Sequence, residues 1–163
     1  MNVAFQRNIG SFIKVLAGLA NFSVTAGGSN DDTALTGITI DRSQIDQTVL
    51  SGVFAVIFNP TLGDLKTVDV SCVFEDSADG SSWATYDGGP GSDGVETIQL
   101  NGERAVAFKC QLGGARQYVR AKPKFNCSAA NTDTVAVRGG VWIVGGADEL
   151  PISISATQEG VSS

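Results

Sequence analysis

The sequence predicts an all-β domain, a β-sandwich or jelly roll of about eight to ten short antiparallel strands with an N-terminal arm or short helix. Three observations carry this. From Asn21 onward apolar and polar residues alternate with a period of mostly two. Turn signals such as Gly27-Gly28, Asn59-Pro60, Asp79-Gly80 and Asn101-Gly102 punctuate the runs. Glycine supplies 20 of 163 residues and only 17% are charged, a composition that suits tight turns more than helical surface. The length fits one core. Residues 1–20 read as an arm or short helix, and residues 21–163 as one sandwich domain with a C-terminal extension.

Phe5, Ile9, Phe12, Ile13 and Leu16 recur at nearly helical spacing, although Gly10 and Gly18 weaken a helix there. Such a stripe needs a partner, in the domain body or in a neighbouring subunit. The stretch Ser11–Gly28 faintly resembles a signal peptide, with Val24-Thr25-Ala26 as a cleavage site, but Lys14 interrupts its apolar run. No run is long and apolar enough to span a membrane, so the expectation is a soluble protein made in the cytoplasm.

The strands follow in order. "NFSVTA" is a short strand ended by Gly27-Gly28, and "TALTGITI" is the next. "VLSGVFAVIF" is apolar on both faces, which suits a central strand covered on both sides and stopped at Asn59-Pro60. In "LKTVDVSCVFED", Val68, Val70, Cys72 and Phe74 share one face. Asp79-Gly80 turns into a return strand, "SWATY", and a glycine-rich loop follows. "VETIQL" and "RAVAFKCQL" flank Asn101-Gly102, the strongest hairpin dipeptide. "QYVRAKPKFN" sets Val119, Ala121, Pro123 and Phe125 against Tyr118, Arg120, Lys122 and Lys124; its proline implies an edge or bulge. "DTVAVRGGVWIVGG" is a hairpin at Gly139-Gly140 or one long strand bulged there, and "ISISAT" is a last strand or an arm.

Composition excludes several functions. Histidine is absent, which removes Ser-His-Asp and Cys-His nucleophiles and His-ligated metals. Paired carboxylates would suffice for hydrolysis, but no spacing singles out a pair. The net charge of −6 argues against nucleic-acid binding. Cys72, Cys110 and Cys127 are odd in number, lack CxxC spacing and fall on apolar faces. They read as buried free thiols of a reducing compartment. Asp76, Asp79, Asp87 and Asp93 evoke calcium, but the spacing is not that of an EF-hand, and turn solvation explains them. Trp83 and Tyr86 are either a stacking platform for a sugar or ordinary packing aromatics, and Trp142 reads as core.

Charge is uneven. Residues 30–100 hold twelve acids and two bases, whereas residues 101–140 hold seven bases and two acids. The halves either neutralise each other across one sandwich or form oppositely charged docking surfaces.

"GITIDRS" (Gly37–Ser43), the long apolar strand and "VFEDSADGSSWATY" (Val73–Tyr86) together resemble the small β-sandwich structural proteins of tailed-bacteriophage head and tail modules, most of all the head decoration (cement or minor capsid) proteins. The resemblance spans Thr33 to Tyr86. It implies a jelly-roll-like fold, a homotrimer seated on the major capsid protein, a place on the capsid surface after synthesis in the bacterial cytoplasm, no catalysis and no cofactor. Phe5, Ile9, Phe12, Ile13 and Leu16, with Arg120, Lys122 and Lys124, are then the candidate assembly interface, and Trp83 and Tyr86 the candidate glycan contact. The rival expectations are a tail or baseplate subunit and a carbohydrate-binding host-adhesion module.

Overall fold

The computed structural model describes residues 13–45, 49–88, 94–128 and 132–146. Phe5, Ile9, Phe12 and the "ISISAT" segment lie outside them.

Two antiparallel sheets face each other. The front sheet holds β1 (Ile13–Leu19), β2 (Phe22–Thr25), β5 (Ser51–Thr61), β9 (Arg104–Gln111) and β11 (Thr134–Gly145), in the order β1-β11-β5-β9 with β2 also on β11. The back sheet holds β4 (Ile40–Asp41), β6 (Val68–Ser77), β7 (Ala84–Tyr86), β8 (Val95–Ile98) and β10 (Tyr118–Cys127), in the order β4-β10-β6-β7 with β8 also on β6. β1 and β2 share one flank of β11, at Gly140–Gly145 and Thr134–Val137. β7 and β8 likewise share one flank of β6. Counting each pair as one position gives two four-position sheets, and the chain passes between them in jelly-roll order.

Side-chain alternation sets the core. On β6, Val68, Val70, Cys72 and Phe74 are buried, and on β10 Val119, Ala121 and Phe125. Phe54, Val56 and Phe58 of β5 meet them from the front sheet. Two aromatic groups cross the interior. Trp142 packs on Phe54 and Phe74 at centroid distances of 5.6 and 5.3 Å. Phe125 meets Phe58 and Phe22 edge-on at 5.3 and 5.9 Å. Gly18 and Gly140 make room for them, since a Cβ at either would come within 3.0 Å of the Phe54 ring.

β11 is one long strand rather than a hairpin. Its buried residues switch parity, from Val135 and Val137 to Trp142 and Val144. Only a one-residue slip can turn both sets inward, and the register shifts between Val137 and Gly139, where Gly139 takes φ +142°.

Several local readings are corrected. Ile13–Leu19 is a strand, not a helix: it pairs with β11 from Ile13↔Gly145 to Leu19↔Gly140. β5 does not stop at Asn59-Pro60. Pro60 lies in the strand opposite Val135, beyond Phe58, the last β5 residue that β9 pairs, so its missing N–H breaks no ladder on that side. Asn101-Gly102 makes no hairpin, because β8 pairs with β6 in the back sheet and β9 with β5 in the front one. It is a corner instead. The Asn101 side chain accepts from Leu62 N–H at 2.6 Å and donates to Leu62 O at 3.1 Å. "TALTGITI" forms only β3 (Thr33–Ala34) and the start of β4, joined by an irregular stretch along β10. Leu35 and Gly37 N–H donate to Pro123 O and Ala121 O, and Ile38 N–H crosses to Gly18 O of the front sheet. Finally, β5 is covered on one face only, which leads to the surface described next.

Candidate functional site

The outward faces of the two sheets differ in chemistry. On the back sheet, Glu75 of β6 lies opposite Arg120 of β10. Its carboxylate accepts from Arg120 Nε at 2.7 Å and Nη2 at 2.6 Å, and from Lys122 Nζ at 3.1 Å. Burial opposes its ionisation, but these hydrogen bonds and the two cations outweigh that and hold the carboxyl below its ordinary range. Lys124 pairs with Asp32 at 2.7 Å. Of the five ion pairs among the described residues, four join a first-half acid to a second-half base. Four of the seven second-half bases are thus matched by first-half acids within one domain, whereas those pairs use only three of the twelve first-half acids.

Arg120, Lys122 and Lys124 therefore all have partners in their own chain. The Arg120 guanidinium also stacks 3.9 Å over the Trp83 ring. Tyr86 is packed against the core, and its hydroxyl donates to Gln111 O at 2.6 Å. Trp83 lies with the outward cations and Tyr86 with the core, so the two rings form no single platform. Asp79 is engaged by its own turn: Ser81 and Ser82 N–H and the Ser77 hydroxyl donate to it, which pulls its carboxyl far below the usual range. Asp76 is buried and paired with Arg116. Asp93 lies outside the described residues.

The front sheet presents the opposite surface. The registers line up four outward rows: Ile13, Gly145, Ser51 and Gln111; Val15, Ile143, Val53 and Lys109; Ala17, Val141, Ala55 and Ala107; and Gly139, Ile57 and Ala105. Lys109 is the one charged residue in these rows, and the exposed Arg138–Glu103 ion pair borders the last row at the β11 bulge. Val15 is 57% exposed and Ile57 44%. Four strands at about 4.8 Å and six steps of about 3.4 Å give a face of about 400 Å² in plan, within the range of the largest apolar patch on a typical monomer, which is often functional. Leu16, named with the arm residues, points the other way and packs against the core. Sequence reading caught half of this face, the doubled apolar character of β5. Of β1 it named only Ile13, and it missed β9 and β11, whose small and β-branched outward residues signal nothing until the register aligns them.

The face is not flat. At the end where β1 and β9 meet the first row, Ser51 and Gly145 floor a groove of about 530 Å³. Ile13, Val53, Ile143, Lys109 and Gln111 also line it. Among the described residues no carboxylate lines it. The three thiols are buried and free. Burial pushes Cys72 and Cys110 up to about 12 and Cys127 to about 11. Among the described residues no helix is long and apolar enough to cross a membrane.

No protein-family model matches the sequence, and no curated protein matches it. Among solved structures, the chain is similar to a chain in the structure of the infectious bursal disease virus Gx strain, with 6% identity and a TM-score of 0.48 over 82% of this chain and 33% of that one. The infectious bursal disease virus VP2 subviral particle gives 10% identity and a TM-score of 0.45, over 82% and 32%. The Gt strain of the same virus gives 8% and 0.40, over 82% and 33%. The chain spans about a third of the length of these solved chains.

Proposed function

We propose that this chain is a non-enzymatic virion structural protein that binds the outside of a phage capsid, stabilises it, and acts there as a homotrimer. The observation that carries the reading is the apolar outer face of the front sheet, set against a back face whose charges are internally matched. A face with one charge in four rows is built to be covered by protein. The jelly-roll fold, which recurs in viral capsid domains, supports the reading, as does the resemblance of Gly37–Ser43 and Val73–Tyr86 to head decoration proteins. The partner is the major capsid protein. The reading involves no nucleic acid, membrane or cofactor.

The action is mechanical. Packaged genome presses outward on a thin shell. A subunit that seats its apolar face across a joint adds buried area there, and assembly into a trimer multiplies modest contacts through effective concentration. We assign the seat to the front face rather than to Arg120, Lys122 and Lys124, whose charges Glu75 and Asp32 already match. Phe5, Ile9 and Phe12 precede the strand that borders this face, and they extend the contact.

The test is co-sedimentation with heads that lack the protein. Wild type is expected to bind saturably. Val15→Lys and Ile57→Lys are expected to lose binding while keeping the wild-type circular dichroism spectrum. A wild type that ignores heads sinks the reading, and a wild type that instead binds tails or glycan arrays identifies its successor.

A further inference from the structure

The connection between β5 and β6 carries Leu65, which is 99% exposed and takes φ +59°. A leucine in the left-handed region is uncommon; this one sits in a tight turn closed by Lys66 N–H to Gly63 O at 3.1 Å, and its exposed side chain gains no packing in its own chain. Yet the loop beneath it is firmly tied. Leu62 N–H is held by Asn101, Gly63 N–H by the buried Asp133 carboxylate at 2.9 Å, and Thr67 N–H by Ser128 Oγ at 2.8 Å. Leu62 itself is buried. The result is a rigid projection with an apolar tip flanked by two exposed charges, the acid Asp64 and the base Lys66. The groove on the front face is lined by the apolar Ile13, Val53 and Ile143 and by one cation, Lys109. Neither Asp64 nor Lys109 has an ion-pair partner among the described residues.

β5 starts at the groove and ends at the loop, so the two features sit at opposite ends of the sandwich, about 34 Å apart at 3.4 Å per residue. One molecule cannot bring them together, but two copies can. We propose that Leu65 of one copy inserts into the groove of the next, with Asp64 beside Lys109. The contact is heterologous, head to tail, and where its rotation closes it makes a ring rather than a two-fold pair. This deepens the reading above, because the groove belongs to the same front face, and it names a second copy of this chain as the occupant of that end.

Sedimentation velocity of the full chain over a concentration series tests it. Wild type is expected to associate. Leu65→Ser, which changes only an exposed side chain, is expected to raise the dissociation constant about tenfold or more, the loss for leaving a leucine in water. Asp64→Lys and Lys109→Asp are each expected to weaken association at low salt, and the double reversal to restore it. A monomeric wild type, an unaffected Leu65→Ser variant, or a double reversal no better than the singles overturns the proposal. If Leu65→Ser misfolds, the charge-reversal pair decides. A wild type that associates but ignores heads refutes the capsid reading and leaves this contact standing. Wild type that binds heads yet stays monomeric does the reverse.

Discussion

Glu75 ties β6 to β10 on the back face, and Glu75→Gln isolates what that tie contributes. The side chains of Glu75, Arg120 and Lys122 are 15%, 19% and 25% exposed, so water screens them only in part. The glutamine keeps the shape but loses the charge, and its amide N–H groups face two cations. Hydrogen bonds to charged groups contribute about 1.5–3 kcal/mol each, and the variant keeps one neutral acceptor, so we expect a loss of about 2–3 kcal/mol. For a domain of this size that lowers the melting midpoint by roughly 5–10 °C. The pH dependence supplies an independent check. The folded carboxyl lies below its ordinary value of 4.5. Its stabilisation is therefore complete above that value and is lost as pH falls through the folded one. The gap between wild type and variant in urea midpoints should be widest near neutral pH and narrow as pH drops below about 4.5. Equal midpoints at neutral pH, or a gap that widens on acidification, would refute the reasoning.

Two further outcomes follow from the interior. All three thiols should resist a disulfide reagent at mildly alkaline pH and react fully in guanidinium, because burial holds them protonated up to about 11 or 12; stoichiometric labelling of the native chain would contradict the buried placement. Gly37→Ala should cost about 1–3 kcal/mol by overpacking. Its Cβ would fall 2.5 Å from Ala121 O and 2.7 Å from Gly18 O, both backbone atoms, on the side where the two sheets are joined. An unchanged urea midpoint would mean that this seam yields more easily than its hydrogen bonds suggest.

What the sequence made legible was local. The alternation on β6 and β10 named the buried residues correctly, because each strand turns one face to a single core. The parity switch across Gly139 offered a bulge or a hairpin, and the bulge is what turns Val135 and Trp142 the same way. Sheet membership was not legible. Asn101-Gly102 has the chemistry of a hairpin, but β8 pairs with β6 and β9 with β5 in the other sheet, so the same dipeptide serves as a corner tied by the Asn101 side chain to Leu62. The spacing of Ile13 and Leu16 fits one face of a helix, but pairing with β11 makes a strand that sends the two side chains to opposite faces. The candidate surface was half visible, since β5 is apolar on both faces but its neighbours across the ladder are distant in sequence. The knob had no sequence signal, because Leu65 in a loop looks like any other leucine.

The shared flanks of β11 and β6 have a consequence for aggregation. A long straight edge of unpaired amides is a template on which further chains can stack without limit. Here the β1/β2 edge breaks after Leu19, the β7/β8 edge breaks after Tyr86, and the β3/β4 edge is irregular between Ala34 and Ile40. The remaining continuous edge, β9, carries Arg104 and Lys109, and near its end Gln111 N–H is already taken by Gly88 O. Backbone polymerisation is thus discouraged on every side of the fold. Growth by further copies is left to side-chain surfaces, where it can be specific and can stop.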